Sequence, residues 1–238
     1  MFGNVSLSAA FLIYAALTAA VVAGLLQHTF HGSRGALAIS ILALWLGYAG
    51  AFSWFGLLGD PNMRPPGMAL LAGPVFTGLI LIVALPAGRR LAATLPVALL
   101  IGFQVFRVGA ELTITARHHQ GFAPELLTLP GGSVELLVAL SAPIFAWIAT
   151  RGTSGRQLAY AWNVVGLLSI FNVVARSVLS TPGPLNLIHA EVPNIAFASF
   201  PFGLIPGFLA PLAFATHLLT FRSLRLTGQS SEADRKLP

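Results

Sequence analysis

The sequence contains no cysteine and very little charge. Without cysteine, disulfides, thiolate catalysis, zinc-thiolate sites and iron-sulfur clusters are all excluded. Only 8% of the 238 residues are charged and 56% are hydrophobic, whereas an ordinary soluble domain is about a quarter charged. So few charges cannot cover the surface of a water-soluble globule. The composition therefore predicts an integral membrane protein.

Lysine is nearly absent as well, since Lys236 is the single lysine and the other basic residues are arginines. The arginines occur singly or in pairs and form no basic stripe, so the net charge of +6 does not indicate nucleic-acid binding. No lysine falls within a long apolar run, which excludes a retinal Schiff base of the rhodopsin type. HExxH and phosphate-loop motifs are also missing from the sequence.

Long apolar runs are what the sequence has in abundance. A helix needs about 20 apolar residues to cross the bilayer core. We therefore predict an all-α, polytopic transmembrane bundle in a single domain, residues 1–226, followed by a polar cytoplasmic tail, residues 227–238. The seven predicted spans are Val5–Phe30, Ala36–Leu58, Met68–Leu85, Leu91–Thr115, Ser133–Thr150, Leu158–Ser180 and Ala196–Phe221.

The basic residues predict the orientation, because arginine and lysine accumulate in cytoplasmic loops. With the N-terminus outside and the C-terminus in the cytoplasm, the outer segments contain only Arg64 and Arg117, while Arg107 and Arg176 lie within spans. The imbalance predicts a multi-pass membrane protein in this orientation. The nine basic residues on the cytoplasmic side are then Arg34, Arg89, Arg90, Arg151, Arg156, Arg222, Arg225, Arg235 and Lys236.

Two further patterns concern the shape of the bundle. Two short segments, Phe103-Gln104-Val105 and Ala142-Pro143, have similar counterparts 68 residues later, Phe171-Asn172-Val173 and Ala210-Pro211. A parallel helical-hairpin repeat would explain this similarity. Chance similarity between apolar segments is the alternative. The apolar segment 197–208 contains two prolines and two glycines, so we expect a broken helix, which either exposes backbone at a site or only bends the helix.

Polar residues within the predicted spans form the candidate binding site. Gln104, Arg107 and Glu111 are spaced i, i+3, i+7 on one helical face, and Arg107 and Glu111 are close enough to pair. Charges inside a span are costly and normally face the bundle interior or an aqueous cavity. We predict an outward-facing pocket for a small polar or anionic solute, with structural pairing between helices as the alternative. Its residues are Gln104, Arg107, Glu111, Glu135, Asn172 and Arg176.

The histidines form two weaker candidate sets for a metal. His28 and His31 are three residues apart, a spacing that can place two imidazoles on one metal ion. Ordinary interfacial histidines are the alternative for both sets, and no cofactor follows from either. The outer set is His118, His119 and His189, and the set at the cytoplasmic ends of the first and last spans is His28, His31 and His217.

The segments FQVFRVGAEL, NVVARSVLSTPGP and FPFGLIPGFLAPLAFATHLL resemble those of a group of small polytopic bacterial inner-membrane proteins that are themselves uncharacterised. The resemblance implies a bacterial membrane family and carries no activity. Two functions therefore stay open: binding or transport of a small polar or anionic solute, and a role as a membrane-embedded enzyme, such as a metal-dependent hydrolase, or as an accessory subunit. The expected partners are the lipid bilayer, the solute and, as an alternative, an oligomer or membrane-complex partner.

Overall fold

The computed structural model describes residues 5–234, and every regular element among them is a helix. The all-α prediction is therefore confirmed. Short 3-10 helices occur at Phe103–Phe106 and Glu125–Leu127, and a π-helical turn occurs at Ile205–Leu209. The α-helices are α1 (Val5–Phe30), α2 (Gly32–Trp54), α3 (Gly67–Ala84), α4 (Pro86–Thr94), α5 (Val97–Gly102), α6 (Arg107–His119), α7 (Glu135–Ile148), α8 (Gly152–Ser180) and α9 (Ala210–Asp234).

Several of these helices have the length and apolar character of membrane spans. Four segments qualify on their own: α1, α2, the continuous stretch Val97–His119 and α8. Helices α3 and α4 qualify as a fifth span when they are taken together, although the chain bends by 69° between them. These are the helices of a membrane-embedded protein. By length and composition the described residues supply four or five spans, where the sequence predicts seven.

Two predicted spans begin later in the structure than in the sequence analysis. The fourth was expected from Leu91, but α4 ends at Thr94 and the next helix begins after Pro96. The seventh was expected from Ala196, but the chain forms turns until the π-helical turn at Ile205–Leu209. Pro96 and Pro206 explain the two differences. Proline is tolerated at or before the first turn of a helix, but it disrupts the hydrogen bonds of a helix interior. The expected break within segment 197–208 is thus present.

The end of the last helix also differs from the predicted boundary. Helix α9 continues to Asp234, so residues 227–234 of the predicted polar tail extend the helix. The rest of that tail, including Arg235 and Lys236, lies outside the described residues, as do residues 1–4 of the predicted domain.

The two members of the predicted repeat lie in unlike surroundings. Gln104 is buried in a 3-10 helix, whereas Asn172 is exposed on the regular helix α8. Pro143 lies inside α7, whereas Pro211 follows the first residue of α9. The repeat stays a prediction from the sequence.

Helix α9 is the centre of the bundle. It packs against α3, α4, α5 and α8, and it continues from the π-helical turn. Helix α7 packs on the other side of this group, against α5, α6 and α8. The largest apolar core therefore surrounds the start of α9, where Phe202, Leu209 and Ala213 are almost completely buried.

The first two helices form a hairpin along one side of this bundle. They are joined at His31, and the positive φ of Gly32, 48°, is a conformation that glycine adopts without strain. Helix α1 and helix α2 pack mainly on each other, while α1 also contacts α4 and α6, and α2 contacts α3 and the π-helical turn.

Two side chains of α2 replace backbone hydrogen bonds that prolines remove. A proline stands four residues after Leu70 and four residues after Gly207, so neither carbonyl receives the usual helical N–H from that position. The Tyr48 hydroxyl donates to the Leu70 carbonyl at 2.9 Å, and Trp45 Nε1 donates to the Gly207 carbonyl at 2.7 Å. Since the membrane core offers no water as a substitute partner, the hairpin stabilises the irregular helices of the bundle.

Arg117 anchors the long segment between α8 and α9. Its guanidinium lies over the rings of Phe122 and Phe202, at 4.0 and 4.6 Å from their centroids, and Nη2 is 3.5 Å from the Ser199 hydroxyl. The side chain is only 2% exposed. Arg117 stands in the last turn of α6, where the helix dipole favours a cation. A residue expected in an outer loop thus fixes the turns that precede α9.

Candidate functional site

A cluster of buried polar side chains lies at the centre of the bundle. It joins five elements: the first 3-10 helix and helices α6, α7, α8 and α9. Buried polar groups in a membrane protein are costly unless they are paired, so their partners define what the cluster can do. The members, each at most 6% exposed, are Gln104, Arg107, Glu135, Asn163, Ser169, Thr216 and His217.

The ion pair of this cluster joins Arg107 to Glu135. Arg107 Nη2 donates to Glu135 Oε2, and the Ser169 hydroxyl donates to Glu135 Oε1. Glu135 is the first residue of α7, where the helix dipole favours a carboxylate. From the sequence, Glu111 is close enough to pair with Arg107, and Glu135 is a second candidate. Glu135 takes that place because α7 packs directly against α6 and brings its N-terminal residue to the guanidinium.

The other side of Arg107 faces a histidine. Arg107 Nη1 lies 3.1 Å from His217 Nε2, and because a guanidinium can only donate, Nε2 must accept. The ring proton is then on Nδ1, which donates to Asn163 Oδ1 at 2.7 Å. The Asn163 amide in turn donates to the His217 carbonyl at 3.0 Å. These contacts assign a neutral His217 with its proton on Nδ1.

A glycine makes room for this histidine. A Cβ atom built on Gly166 of α8 would lie 2.4 Å from His217 Cε1, which is far closer than atoms of neighbouring side chains approach. Gly166 stands three residues after Asn163 and three before Ser169. Three successive positions on α8 therefore serve the cluster. Asn163 accepts a hydrogen bond from His217, Gly166 leaves space for the His217 ring, and Ser169 donates to Glu135.

Gln104 fastens the cluster to α9. Its amide nitrogen donates to the Thr216 hydroxyl at 2.9 Å and lies 3.3 Å from the Ala213 carbonyl. Two polar atoms of the cluster, Gln104 Oε1 and Arg107 Nε, are buried with no hydrogen-bond partner among the described residues. Apart from these two atoms, the side-chain polar groups of Gln104 and Arg107 are in use within the bundle.

A cavity of about 110 Å³ lies beside the cluster. Helix α3 lines one side, α8 lines the other, and α6 and the start of α9 lie between them. Nearly all of its lining is apolar, including Val75, Phe76 and Val174. The polar residues that line it are Arg107, Glu111, Glu135 and Ser177.

Glu111 differs from the other polar residues of the lining. It is 5% exposed, and it makes no hydrogen bond or ion pair with any residue that the structure describes. Arg107 already binds Glu135 and His217, and the Ser177 hydroxyl accepts a hydrogen bond from Asn194 at 2.9 Å. The cavity therefore contains one carboxyl group with no hydrogen bond or salt bridge to any residue that the structure describes.

The structure brings together part of the predicted site. Arg107, Glu111 and Glu135 line the cavity, and Gln104 is buried beside it. Asn172 is exposed on the face of α8 that points away from the bundle. The Arg176 side chain donates to the Gly131 carbonyl at 2.8 Å and is not part of the lining.

The inner histidine set is not assembled. His217 was expected at the cytoplasmic end of the last span, but it lies inside the bundle because the helix begins later than predicted. The ring centroids of His28 and His31 are 6.0 Å apart. In the outer set, His118 Nδ1 lies 2.9 Å from the Ala123 carbonyl. Within residues 5–234 no group of three or more histidine, aspartate or glutamate side chains is placed to bind one metal ion.

Sequence reasoning left Asn163, Ser169 and His217 out of the site. A signal for two of them was present, because Asn163, Gly166 and Ser169 recur every third residue along an otherwise apolar helix. His217 had no comparable local signal.

The fold and the cluster define a class: an all-α, membrane-embedded bundle whose interior contains a buried ion pair beside an apolar cavity. Residues 65–225 match the family described as a domain of unknown function (DUF8737), and the chain belongs to that family. The match begins just before α3 and ends within α9, so it includes the cluster and the cavity and leaves out the α1–α2 hairpin. No curated protein and no solved structure matches the chain.

Proposed function

We propose that this protein binds a small amphipathic molecule within the membrane, in the cavity between α3 and α8. The observation that carries the proposal is a cavity with apolar walls that ends at an unpaired carboxyl group, Glu111. Binding sites for small molecules have this composition, with mostly apolar walls and a few polar groups that fix the orientation. An apolar body with one polar end fits this lining better than the fully polar or anionic solute expected from the sequence.

The size of the cavity limits the ligand. A buried apolar cavity of about 150 Å³ accommodates benzene, so a cavity of about 110 Å³ encloses only a few heavy atoms. A larger molecule must extend out of the cavity.

Access from the predicted outer side is supported by a second, smaller cavity of about 20 Å³. It shares Met68 and Phe197 with the main cavity, and it continues to Thr181 and Pro182 in the long segment before α9. The sequence predicts this segment to be extracytoplasmic. The residues that the two cavities share support an outward orientation of the site.

The proposal includes seven spans, with the N-terminus outside, in the inner membrane. Helix α7, with 14 residues, is about 21 Å long, which is short for a bilayer core of about 30 Å. However, Leu137, Leu140, Ile144 and Trp147 form a stripe on α7, and each of these side chains is more than half exposed. Lipid contact accounts for that stripe, and the π-helical turn with α9 supplies the last span.

The absence of cysteine makes the topology directly testable. Asn62 and Ser154 are both exposed, and we predict them on opposite sides of the membrane. In intact cells, Asn62→Cys should react with a membrane-impermeant maleimide, and Ser154→Cys should react only after permeabilisation. The reverse labelling pattern would contradict the orientation, and labelling of both variants in intact cells would contradict the odd number of spans between them.

The binding proposal is tested by filling the cavity. Ala72 on α3 lines the cavity, while Ala69, one turn earlier on the same helix, is exposed and does not line it. Small molecules extracted from purified wild-type protein and from the Ala69→Phe and Ala72→Phe variants are compared by mass spectrometry. We expect a compound that is retained by wild type and Ala69→Phe and is depleted at least tenfold in folded Ala72→Phe. Equal amounts in all three proteins would refute a site in this cavity.

A further inference from the structure

The polar lining of the cavity includes an unpaired carboxyl group, that of Glu111. The polar lining contains one arginine and two glutamates. Arg107 is committed to Glu135 and His217, and Arg176 is held by the Gly131 carbonyl. An anionic ligand would therefore meet only an arginine that is already paired with Glu135, whereas an ammonium group would meet the Glu111 carboxyl group, which has no hydrogen-bond partner among the described residues.

The apolar walls cannot supply this selectivity. In a bilayer the acyl chains are as apolar as the side chains of Val75 or Phe76, so apolar contact distinguishes poorly between a ligand and a lipid tail. A charge-assisted hydrogen bond is roughly twice as strong as one between neutral groups, and a lipid tail can form neither. Selection must then depend on the polar end of the ligand and on Glu111.

We propose that Glu111 selects molecules that carry a primary ammonium group on a short apolar body. The inference rests on the proposed binding function and names its ligand class. The ammonium group donates to the Glu111 carboxylate, and Arg107 holds Glu135 in its own ion pair so that Glu111 stays available. The apolar part lies along the α3 and α8 walls and leaves the cavity between them.

The test compares two ligands that differ only in charge at one end. Radiolabelled hexylamine and 1-hexanol are titrated against the full-length protein in phosphatidylcholine nanodiscs, with empty nanodiscs subtracted. The proteins are wild type, Glu111→Gln, Glu111→Asp, Ala72→Phe and, as the control, Ala69→Phe. We expect wild type and Ala69→Phe to bind hexylamine at least tenfold more tightly than hexanol.

The variants separate this proposal from the binding function itself. Glu111→Gln should lower hexylamine affinity to the level of hexanol and leave hexanol unchanged, and Glu111→Asp, which keeps the charge, should retain part of the preference. Ala72→Phe should abolish binding of both ligands. An unchanged preference for hexylamine in Glu111→Gln, together with loss of binding in Ala72→Phe, would overturn the role of Glu111 and leave the cavity site intact. Equal binding of both ligands by Ala72→Phe and Ala69→Phe would overturn the cavity site.

A primary ammonium group can belong to a free amine or to a lipid headgroup. The hexylamine titration is therefore repeated in nanodiscs that contain phosphatidylethanolamine. A loss of hexylamine affinity in wild type, absent from Glu111→Gln, supports the proposal with the lipid headgroup as ligand. Unchanged tight binding in wild type supports it with a free amine as ligand.

Discussion

The N-terminal hairpin and the family region, residues 65–225, use apolar sequence in different ways. Only 17% of the apolar window in α1 and 11% of that in α2 are buried inside the protein, compared with 50% for Val97–His119 and 39% for α8. Most of the surface of the hairpin is therefore not covered by the rest of the described chain. The helices of the family region face one another, and it is between them that buried arginine, glutamate, asparagine and histidine occur.

This difference shows how the two regions divide the structural work. Three hairpin side chains donate hydrogen bonds to backbone carbonyls of the family region: Tyr14 to Phe106 at 2.6 Å, Tyr48 to Leu70 and Trp45 to Gly207. The ion pair, the His217 contacts and the cavity are formed by residues of the family region. The hairpin thus stabilises the irregular helices, and the family region contains the buried ion pair and the cavity.

Substitutions in the Arg107–Glu135 ion pair should cause the largest loss of unfolding free energy that distinguishes the two regions. Arg107→Met leaves Glu135 buried without its cation, and Glu135→Met leaves Arg107 without its anion. Each single variant should lose about 3–5 kcal/mol of unfolding free energy, because an uncompensated buried charge is left behind. The measurement is reversible unfolding in mixed detergent and SDS micelles.

The control for this prediction is the exposed arginine of the hairpin. Arg34→Met should change the unfolding free energy by no more than about 0.5 kcal/mol. The double variant of Arg107 and Glu135 should lose less than the sum of the two single losses, because the two side chains are coupled. Strict additivity would show that the pair does not act as a unit.

Replacing a glycine by alanine should change the free energy of unfolding in opposite directions in the two regions. A Cβ at Gly166 would meet the His217 ring, whereas a Cβ at Gly24 of α1 has no atom within 4 Å. Gly166→Ala should cost about 1–3 kcal/mol through overpacking, and Gly24→Ala should be neutral or stabilise by up to about 1 kcal/mol through helix propensity. The same unfolding assay measures both. A neutral Gly166→Ala would mean that His217 is free to move away from α8.

The site could be predicted from the sequence as far as its signals were local. Gln104, Arg107 and Glu111, whose spacing predicts one helical face, are all buried. Asn172 was included in the site although the buried stripe of α8 passes through Ser169 and Val173, so that Asn172 points away from the bundle. Asn172 continues the series Asn163, Gly166 and Ser169, so helical periodicity alone did not exclude it.

The partners of Arg107 could not be predicted in this way. That Glu135 binds it depends on which helix lies beside α6, and that His217 binds it depends on where the broken segment before α9 returns to helix. The cavity is a gap between α3 and α8, helices far apart in the sequence. No local pattern encodes an adjacency between distant segments, so these features required the structure.

A smaller effect is expected where the hairpin supports the family region. Tyr48→Phe removes only the hydroxyl that donates to the Leu70 carbonyl. We expect a loss of about 0.5–1.5 kcal/mol, the usual value of such a hydrogen bond. Tyr160→Phe is the matched control, because its hydroxyl makes no hydrogen bond within residues 5–234 while its ring packs on Phe221. Equal losses for both variants would assign the effect to the phenol group in general and not to the bond across the hairpin.

The smallest effect is expected on the outer surfaces, where the two regions should behave alike. Leu44 of α2 is 76% exposed and Leu140 of α7 is 55% exposed. If lipid covers both, Leu44→Ala and Leu140→Ala should each change the unfolding free energy by less than about 0.5 kcal/mol, and neither should change the mass of the protein-detergent complex in light scattering. A loss above about 1 kcal/mol for Leu140→Ala alone, accompanied by a fall in mass, would reveal a protein interface on α7. The family region would then differ from the hairpin on its outside as well as in its interior.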